Sequence, residues 1–223
     1  MAEASIRFHF DFLSPYAYLA WTQVHPLAAR YAREVEPVPV LFAGLLNAHG
    51  QKGPAEIPAK SIYVFKDTMR TASVLGVPLA PPPSHPFNPL LGLRACGLPM
   101  SPDDRIRLVT ALFEEVWAGG RGITDPATIA AAARRVGLDG DAIVKAANED
   151  AAKAALREAT ERAIADGVFG IPTMIVGWEL FWGLDSFPHL ERYLQGNDPL
   201  QKIDLFQWGA VQPSAIRTVR SKS

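Results

Sequence analysis

Residues 6–20 read IRFHFDFLSPYAYLA, and their order decides the fold. Ile6, Phe8, Phe10 and Phe12 alternate with Arg7, His9 and Asp11, the period-two pattern of a strand with one apolar face. Ser14-Pro15 ends the run. Serine is a good helix N-cap, and proline, with no N–H to lose, suits the first helical position. Leu19, Ala20, Val24, Leu27, Ala28 and Tyr31 recur at helical spacing, so a helix is expected from Tyr16 to about Ala32. Val38–Phe42 is a second short apolar run, read as a strand, and strand–helix–strand predicts a parallel βαβ unit. Arg7, His9 and Asp11 share a face that a central strand usually buries. Either helices cover them with partners, or that face opens on a cleft.

Outward from this unit the texture changes. Residues 47–58 form a Gly/Pro/polar loop. Lys60–Leu75 reads as a helix stopped by Gly76, and the proline-rich run 79–89 must be mostly extended. Ser101-Pro102-Asp103-Asp104 opens a helix with a cap, a proline and two acids in its first turn. Gly119-Gly120 ends it, Asp125-Pro126 opens the next, and two alanine-rich helices run to about Asp166. Thr173–Val176, Gly177 and Glu179–Trp182 look like a hairpin, after which Asp185 is a candidate cap for a helix through Leu194. The order β-α-β, helices, β-β-α is α/β and thioredoxin-like, with a large all-helical domain inserted after the βαβ unit. Residues 1–46 and 167–198 form the expected thioredoxin-like domain, 47–166 the insertion and 199–223 a C-terminal tail. Leu205, Phe206 and Trp208 give that tail apolar content for packing on the body or on a partner.

The 223-residue chain carries a formal net charge of -1, with 22 Lys+Arg against 23 Asp+Glu. No overall field drives it toward nucleic acid or anionic lipid. The one basic cluster, Arg217, Arg220 and Lys222, reads as a solvated end. Charges at Glu3, Arg7, His9 and Asp11 interrupt any apolar leader, and no run is long enough to span a bilayer, so the expected location is cytoplasmic. The single cysteine, Cys96, forbids an internal disulfide or a CxxC motif; it reads as a small buried hydrophobe. The histidines lack metal-ligand spacing.

In a thioredoxin fold the strand-to-helix junction holds the redox cysteines, where the helix N-terminus stabilises a thiolate. Here Ser14 and Ala17 occupy those two places, so this site cannot perform thiol–disulfide exchange. No histidine adjoins Ser14 in sequence to suggest a Ser-His pair. The second feature is GVFGIPT, residues 167–173. Thioredoxin folds place a cis-proline opposite the active-site helix start, which exposes the preceding backbone to a peptide-like ligand. Ile171-Pro172 is expected to be cis.

FDFLSPYAYLA at residues 10–20, IPAKSIYVFKD at 57–67, FNPLLGLRA at 87–95 and GVFGIPTMIV with FWGLD between 167 and 185 together resemble 2-hydroxychromene-2-carboxylate isomerases. Those proteins are related to kappa-class glutathione transferases and, more distantly, to DsbA-type oxidoreductases. The resemblance runs in order from about Ile6 to Leu194. It implies that Ser14 sits beside the glutathione sulfur as a hydrogen-bond donor; read alone, Ser14 is a plain N-cap. It also implies a glutathione-carboxylate contact at Lys60, otherwise a surface lysine, although lysine is disfavoured at a helix start unless an anion is to be met. Gln51 matches a glutathione-contact position where asparagine is usual. Ile171, held by Pro172, would pair its backbone with the cysteinyl part, and Asp185 would receive the γ-glutamyl ammonium. Leu184 replaces the small polar residue common before that aspartate. Asn88 and Arg94 are placed at the second-substrate pocket, Arg94 alternatively in a structural ion pair. Trp178, Phe181 and Trp182 are candidates for an aromatic wall or for core.

The reading is a glutathione-dependent isomerase of an aromatic-degradation intermediate, 2-hydroxychromene-2-carboxylate or an analogue, with glutathione returned unchanged. Alternatives are kappa-like conjugation at the same site and a non-catalytic peptide binder using the Ile171-Pro172 groove. By resemblance the expected assembly is a homodimer, and the partner a small aromatic molecule.

Overall fold

The computed structural model describes residues 5–203 and 206–215; Leu205 and the cluster Arg217, Arg220 and Lys222 lie outside them. Strand β1 (Ile6–Phe10) leads into helix α1 (Pro15–Arg30) and strand β2 (Val35–Pro39). Helices α2 (Phe42–Ala48), α3 (Pro58–Leu75), α4 (Leu90–Gly97), α5 (Pro102–Trp117), α6 (Pro126–Arg135), α7 (Gly140–Asn148) and α8 (Asp150–Ala165) follow. Strands β3 (Thr173–Val176) and β4 (Glu179–Trp182) and helix α9 (Phe187–Leu194) complete the body. The sheet order is β2-β1-β3-β4. β1 runs parallel to β2 and antiparallel to β3, which pairs antiparallel with β4. This is a thioredoxin fold with helices inserted between its βαβ and ββα parts. Among the described residues no helix is long and apolar enough to cross a membrane.

The second strand differs from its sequence reading. It begins at Val35 and stops at Pro39, and Phe42 starts α2 instead of ending the strand. Two buried acceptors cause the switch: Phe42 N–H donates to Asp11 Oδ2 at 2.9 Å and Leu41 N–H to Thr160 Oγ1 at 3.0 Å. Pro37 and Pro39 are tolerated because β2 is an edge strand.

The two faces of β1 bury different things. Phe8, Phe10 and Phe12 pack with Trp21 of α1 and Phe113 of α5, with the Phe12 and Phe113 rings edge to face at 4.8 Å. The opposite face meets a smaller cluster that includes Leu45 of α2, Ala163 of α8 and Ile175 of β3. Helices therefore cover the charged face. His9 and Asp11 are buried, and Arg7 reaches the edge to pair with Asp166 at 2.7 Å. Cys96 is fully buried in α4.

Candidate functional site

Ser14 caps α1: its Oγ accepts from Ala17 N–H at 3.1 Å, and Pro15 follows at the first helical position. The side chain is half-buried, and its hydroxyl proton donates to no group of the protein among the described residues. The helix N-terminus adds positive potential at the same spot.

The peptides leading into Ser14 are held from several sides. Asp11 Oδ1 accepts from Leu13 N–H at 3.0 Å, and the Asp11 carbonyl from Ser14 N–H at 3.3 Å. Trp117 Nε1 donates to the Phe12 carbonyl at 2.9 Å, and His85 Nε2 meets the Leu13 carbonyl at 2.9 Å. Burial pushes the Asp11 carboxyl up from 3.8 to about 6, outweighing the backbone N–H groups that pull it down. On the same face, burial first and Arg7 second press the His9 imidazole down from 6.5 to about 4.

In the β1–β3 register His9 pairs with Thr173, so Ile171-Pro172 runs alongside the end of β1 that leads to Ser14. The Ile171-Pro172 bond is cis. Its loop is braced by Gly183 N–H on the Pro172 carbonyl at 2.9 Å and Thr173 Oγ1 on the Gly170 carbonyl at 2.7 Å. A Cβ at Gly170 would stand 2.6 Å from Trp182 Nε1, so a larger residue there must push the indole aside. Trp182 is half exposed and packs on Phe169 at 5.1 Å. The N–H and C=O of Ile171 have no protein partner among the described residues, although its side chain is buried.

Asp185 does not cap the last helix. It sits exposed in a single 3-10 turn, Leu184–Ser186, and Ser186 precedes α9 with no side-chain cap bond. Among the described residues no side chain hydrogen-bonds to its carboxylate. Its charge nonetheless reaches Tyr16 in the first turn of α1. Tyr16 O–H donates to Asp67 Oδ2 at 2.6 Å and ties α1 to α3; burial and then Asp67 push the Tyr16 phenol well above its ordinary range. Lys60 lies exposed in the first turn of that same α3, its side chain in no ion pair or hydrogen bond among the described residues. Gln51 is exposed in the loop after α2, and among the described residues it is bonded only through its backbone N–H to the Leu46 carbonyl.

The structure thus brings together Ser14, Ile171 and Pro172, and links Asp185 and the Lys60 helix to them through Tyr16. Among the described residues neither Asn88 nor Arg94 hydrogen-bonds to Ser14. Asn88 Oδ1 accepts from Leu90 N–H at 3.0 Å at the start of α4. Arg94, on α4, forms no ion pair among the described residues, and its buried Nε has no hydrogen-bond partner, so the expected structural ion pair is absent. Of the hairpin aromatics, Phe181 is buried while Trp178 stands 92% exposed. Sequence reasoning missed Asp67, Trp117 and His85, which lie 51, 105 and 72 residues from their partners. In the sequence Asp11 is only one of three polar residues on a face of β1 that either helices cover or a cleft exposes, and it is the covered alternative that holds.

Residues 5–195 match the model of the DSBA-like thioredoxin domain. The chain is 34% identical over 194 residues to a 2-hydroxychromene-2-carboxylate isomerase of Sphingobium xenophagum, covering 85% of this chain and 97% of that one. The chain belongs to the 2-hydroxychromene-2-carboxylate isomerase family. A solved structure of a 2-hydroxychromene-2-carboxylate isomerase overlays this one with a TM-score of 0.78 at 27% identity, covering 88% of this chain and 97% of that one. A wider relationship joins the family to glutathione S-transferase kappa 1 of Caenorhabditis elegans, 25% identical over 87% of this chain and 92% of that one. The relatives are isomerases and transferases, and this family member is an enzyme of that group.

Proposed function

We propose that the protein binds glutathione and isomerises 2-hydroxychromene-2-carboxylate or a related small aromatic compound, with Ser14 holding the glutathione thiolate. The observation that carries this reading is the Ser14 hydroxyl: its lone pair is committed to Ala17 N–H and its proton is uncommitted. A free thiol has a pKa of about 8.5, and each unit of depression requires about 1.4 kcal/mol of preference for the thiolate. A hydroxyl hydrogen bond together with a helix N-terminus supplies about one to two such units.

The surrounding residues suit a charged tripeptide. The N–H and C=O of Ile171, unpaired among the described residues, would bond the cysteinyl backbone as a neighbouring strand does. Lys60, exposed and without a side-chain partner among the described residues, suits a carboxylate, and Asp185 the γ-glutamyl ammonium; Gln51 would add a peptide contact. Bound glutathione supplies a soft nucleophile that can add reversibly to a conjugated system. The aromatic substrate would lie against Trp182 and Phe169. The working assembly is a homodimer, to which the exposed Ile62, Tyr63, Met69 and Val74 of α3 offer apolar surface.

Calorimetric titration of glutathione into the wild type and Ser14→Ala, with thiolate absorbance followed against pH, tests the reading. The wild type should bind with a lowered thiol pKa. Ser14→Ala should lose that depression and about a hundredfold in turnover, the usual cost of one donor on a reacting anion. Failure of the wild type to bind at millimolar glutathione would overturn it. Free thiol at the end of turnover separates isomerisation, which returns it, from conjugation, which consumes it.

A further inference from the structure

Two consecutive peptides lead into Ser14, and each is held at both ends. The Phe12–Leu13 peptide has its carbonyl on Trp117 Nε1 and its N–H on the Asp11 carboxylate. The Leu13–Ser14 peptide has its carbonyl on His85 Nε2 and its N–H on the Asp11 carbonyl. A peptide is a rigid plane, so holding both its edges sets the position of the next Cα. For Ser14 that next step is its own φ, -95°, which directs Cβ, and the bond from Ala17 N–H then holds the hydroxyl oxygen.

His85 is the unusual member of this set. A carbonyl only accepts, so Nε2 carries the proton and Nδ1 is left as the acceptor of the neutral ring. Protonation of the ring preserves the Nε2 donor. The imidazole stands in an aromatic cluster, edge-on to Phe65 of α3 at 5.3 Å and near Trp117 and Phe87 at 5.7 and 6.4 Å. An apolar residue would pack as well among those rings. What a histidine adds there is the N–H directed at Leu13.

We infer that His85 is a positioning residue for Ser14: by fixing the Leu13–Ser14 peptide it aims the serine hydroxyl at the reacting sulfur. The inference rests on the reading that Ser14 holds the glutathione thiolate. It makes the proline-rich segment between α3 and α4 part of the machinery that presents the serine, through a contact 72 residues away in sequence.

The test compares the wild type with His85→Leu and His85→Met, which cannot donate, and His85→Gln, which can. Three quantities are measured: the thiolate absorbance of bound glutathione against pH, the affinity for S-methylglutathione, and the assigned amide resonance of Ser14 in the ligand-free protein. Both non-donor variants should raise the bound thiol pKa by about one unit, which lowers the thiolate fraction at pH 7 by about three- to eightfold. Their affinity for S-methylglutathione, which has no thiol, should stay within about twofold, since sites that share no partner couple by no more than that. Glutamine should restore the thiolate. A wild-type thiolate fraction in both non-donors, or a glutamine variant no better than leucine, overturns the inference. If the wild type itself forms no thiolate, the glutathione reading fails and the Ser14 resonance decides. A resonance displaced in Leu and Met and restored in Gln keeps His85 as the residue that sets the junction, and an unmoved resonance rejects it.

Discussion

The junction at Ser14 and the rim around it are built in opposite ways. At the junction every peptide edge from Phe12 to Ser14 finds a partner inside the protein, from Asp11, Trp117 and His85. At the rim, Lys60, Gln51, Asp185 and the backbone of Ile171 have almost none. Buried polar groups left unpaired are costly, so the unpaired main chain of Ile171 stands out beside so fully paired a neighbour. The contrast separates two tasks. The junction holds one hydroxyl still before any ligand arrives, and the rim leaves its hydrogen bonds for the ligand to complete. Junction variants should therefore lose stability, and rim variants should lose ligand.

The largest effect should come from Trp117, fully buried and donating to the Phe12 carbonyl. Trp117→Phe strands a buried acceptor and leaves a small void, together about 3 kcal/mol of folding stability. Urea denaturation reads this directly. A Trp117→Phe protein as stable as the wild type would show that the junction is held by backbone geometry alone, and the contrast with the rim would fail.

How much of this was legible beforehand follows the same division. The strand IRFHF, the Ser14 cap, the Gly76 stop and the 173–182 hairpin are local, written in periodicity and capping chemistry, and they stand in the structure at or near their sequence positions. Val38–Phe42 was read as a strand because its apolar run has no periodicity to distinguish strand from helix. Asp11 and Thr160 decide it, and Thr160 is 119 residues away. Asp185 looked like a cap because an acid stood before a helix, yet the turn it occupies places Ser186 there instead. The clamp on Leu13 left no local trace, because a histidine after a run of prolines carries no sign of the carbonyl it will meet.

The buried layer behind the junction gives a second and smaller test, through pH. His9 is held below its ordinary value, so between pH 6.5 and about 4 the unfolded chain binds the proton that the folded one refuses. Its contribution is whole above 6.5 and is lost as the pH falls through that window. Asp11 is raised, so its folded state takes up a proton first, and stability is lost as the pH rises from 3.8 through about 6. The two slopes oppose each other. From pH 7 to pH 5 His9 should cost about 2 kcal/mol and Asp11 return about 1 kcal/mol. Relative to the wild type, His9→Gln should thus gain about 2 kcal/mol over that interval in denaturation at the two pH values. An identical pH dependence in both proteins would mean that His9 is solvated in the folded state and that the face behind the junction is open.

The smallest effect, and the one that most sharpens the contrast, belongs to the charges at the rim. Lys60→Gln and Asp185→Asn remove exposed side chains that hydrogen-bond to nothing among the described residues, so each should leave denaturation unchanged within about 0.5 kcal/mol, the range of ordinary surface substitutions. Each should weaken glutathione about tenfold, the loss expected for one charge-assisted contact in a partly solvated place, and the loss should shrink as salt screens the pair. The two losses should also be selective. A glutathione whose glycyl carboxylate is amidated should bind Lys60→Gln and the wild type alike, and one lacking the γ-glutamyl amine should do the same for Asp185→Asn. Such matched insensitivity identifies which charge of the ligand each residue meets, which a simple loss of affinity does not. Unchanged glutathione affinity in both variants would remove Lys60 and Asp185 from the site. The paired junction would then stand beside an unpaired Ile171 backbone suited to an extended peptide of any charge.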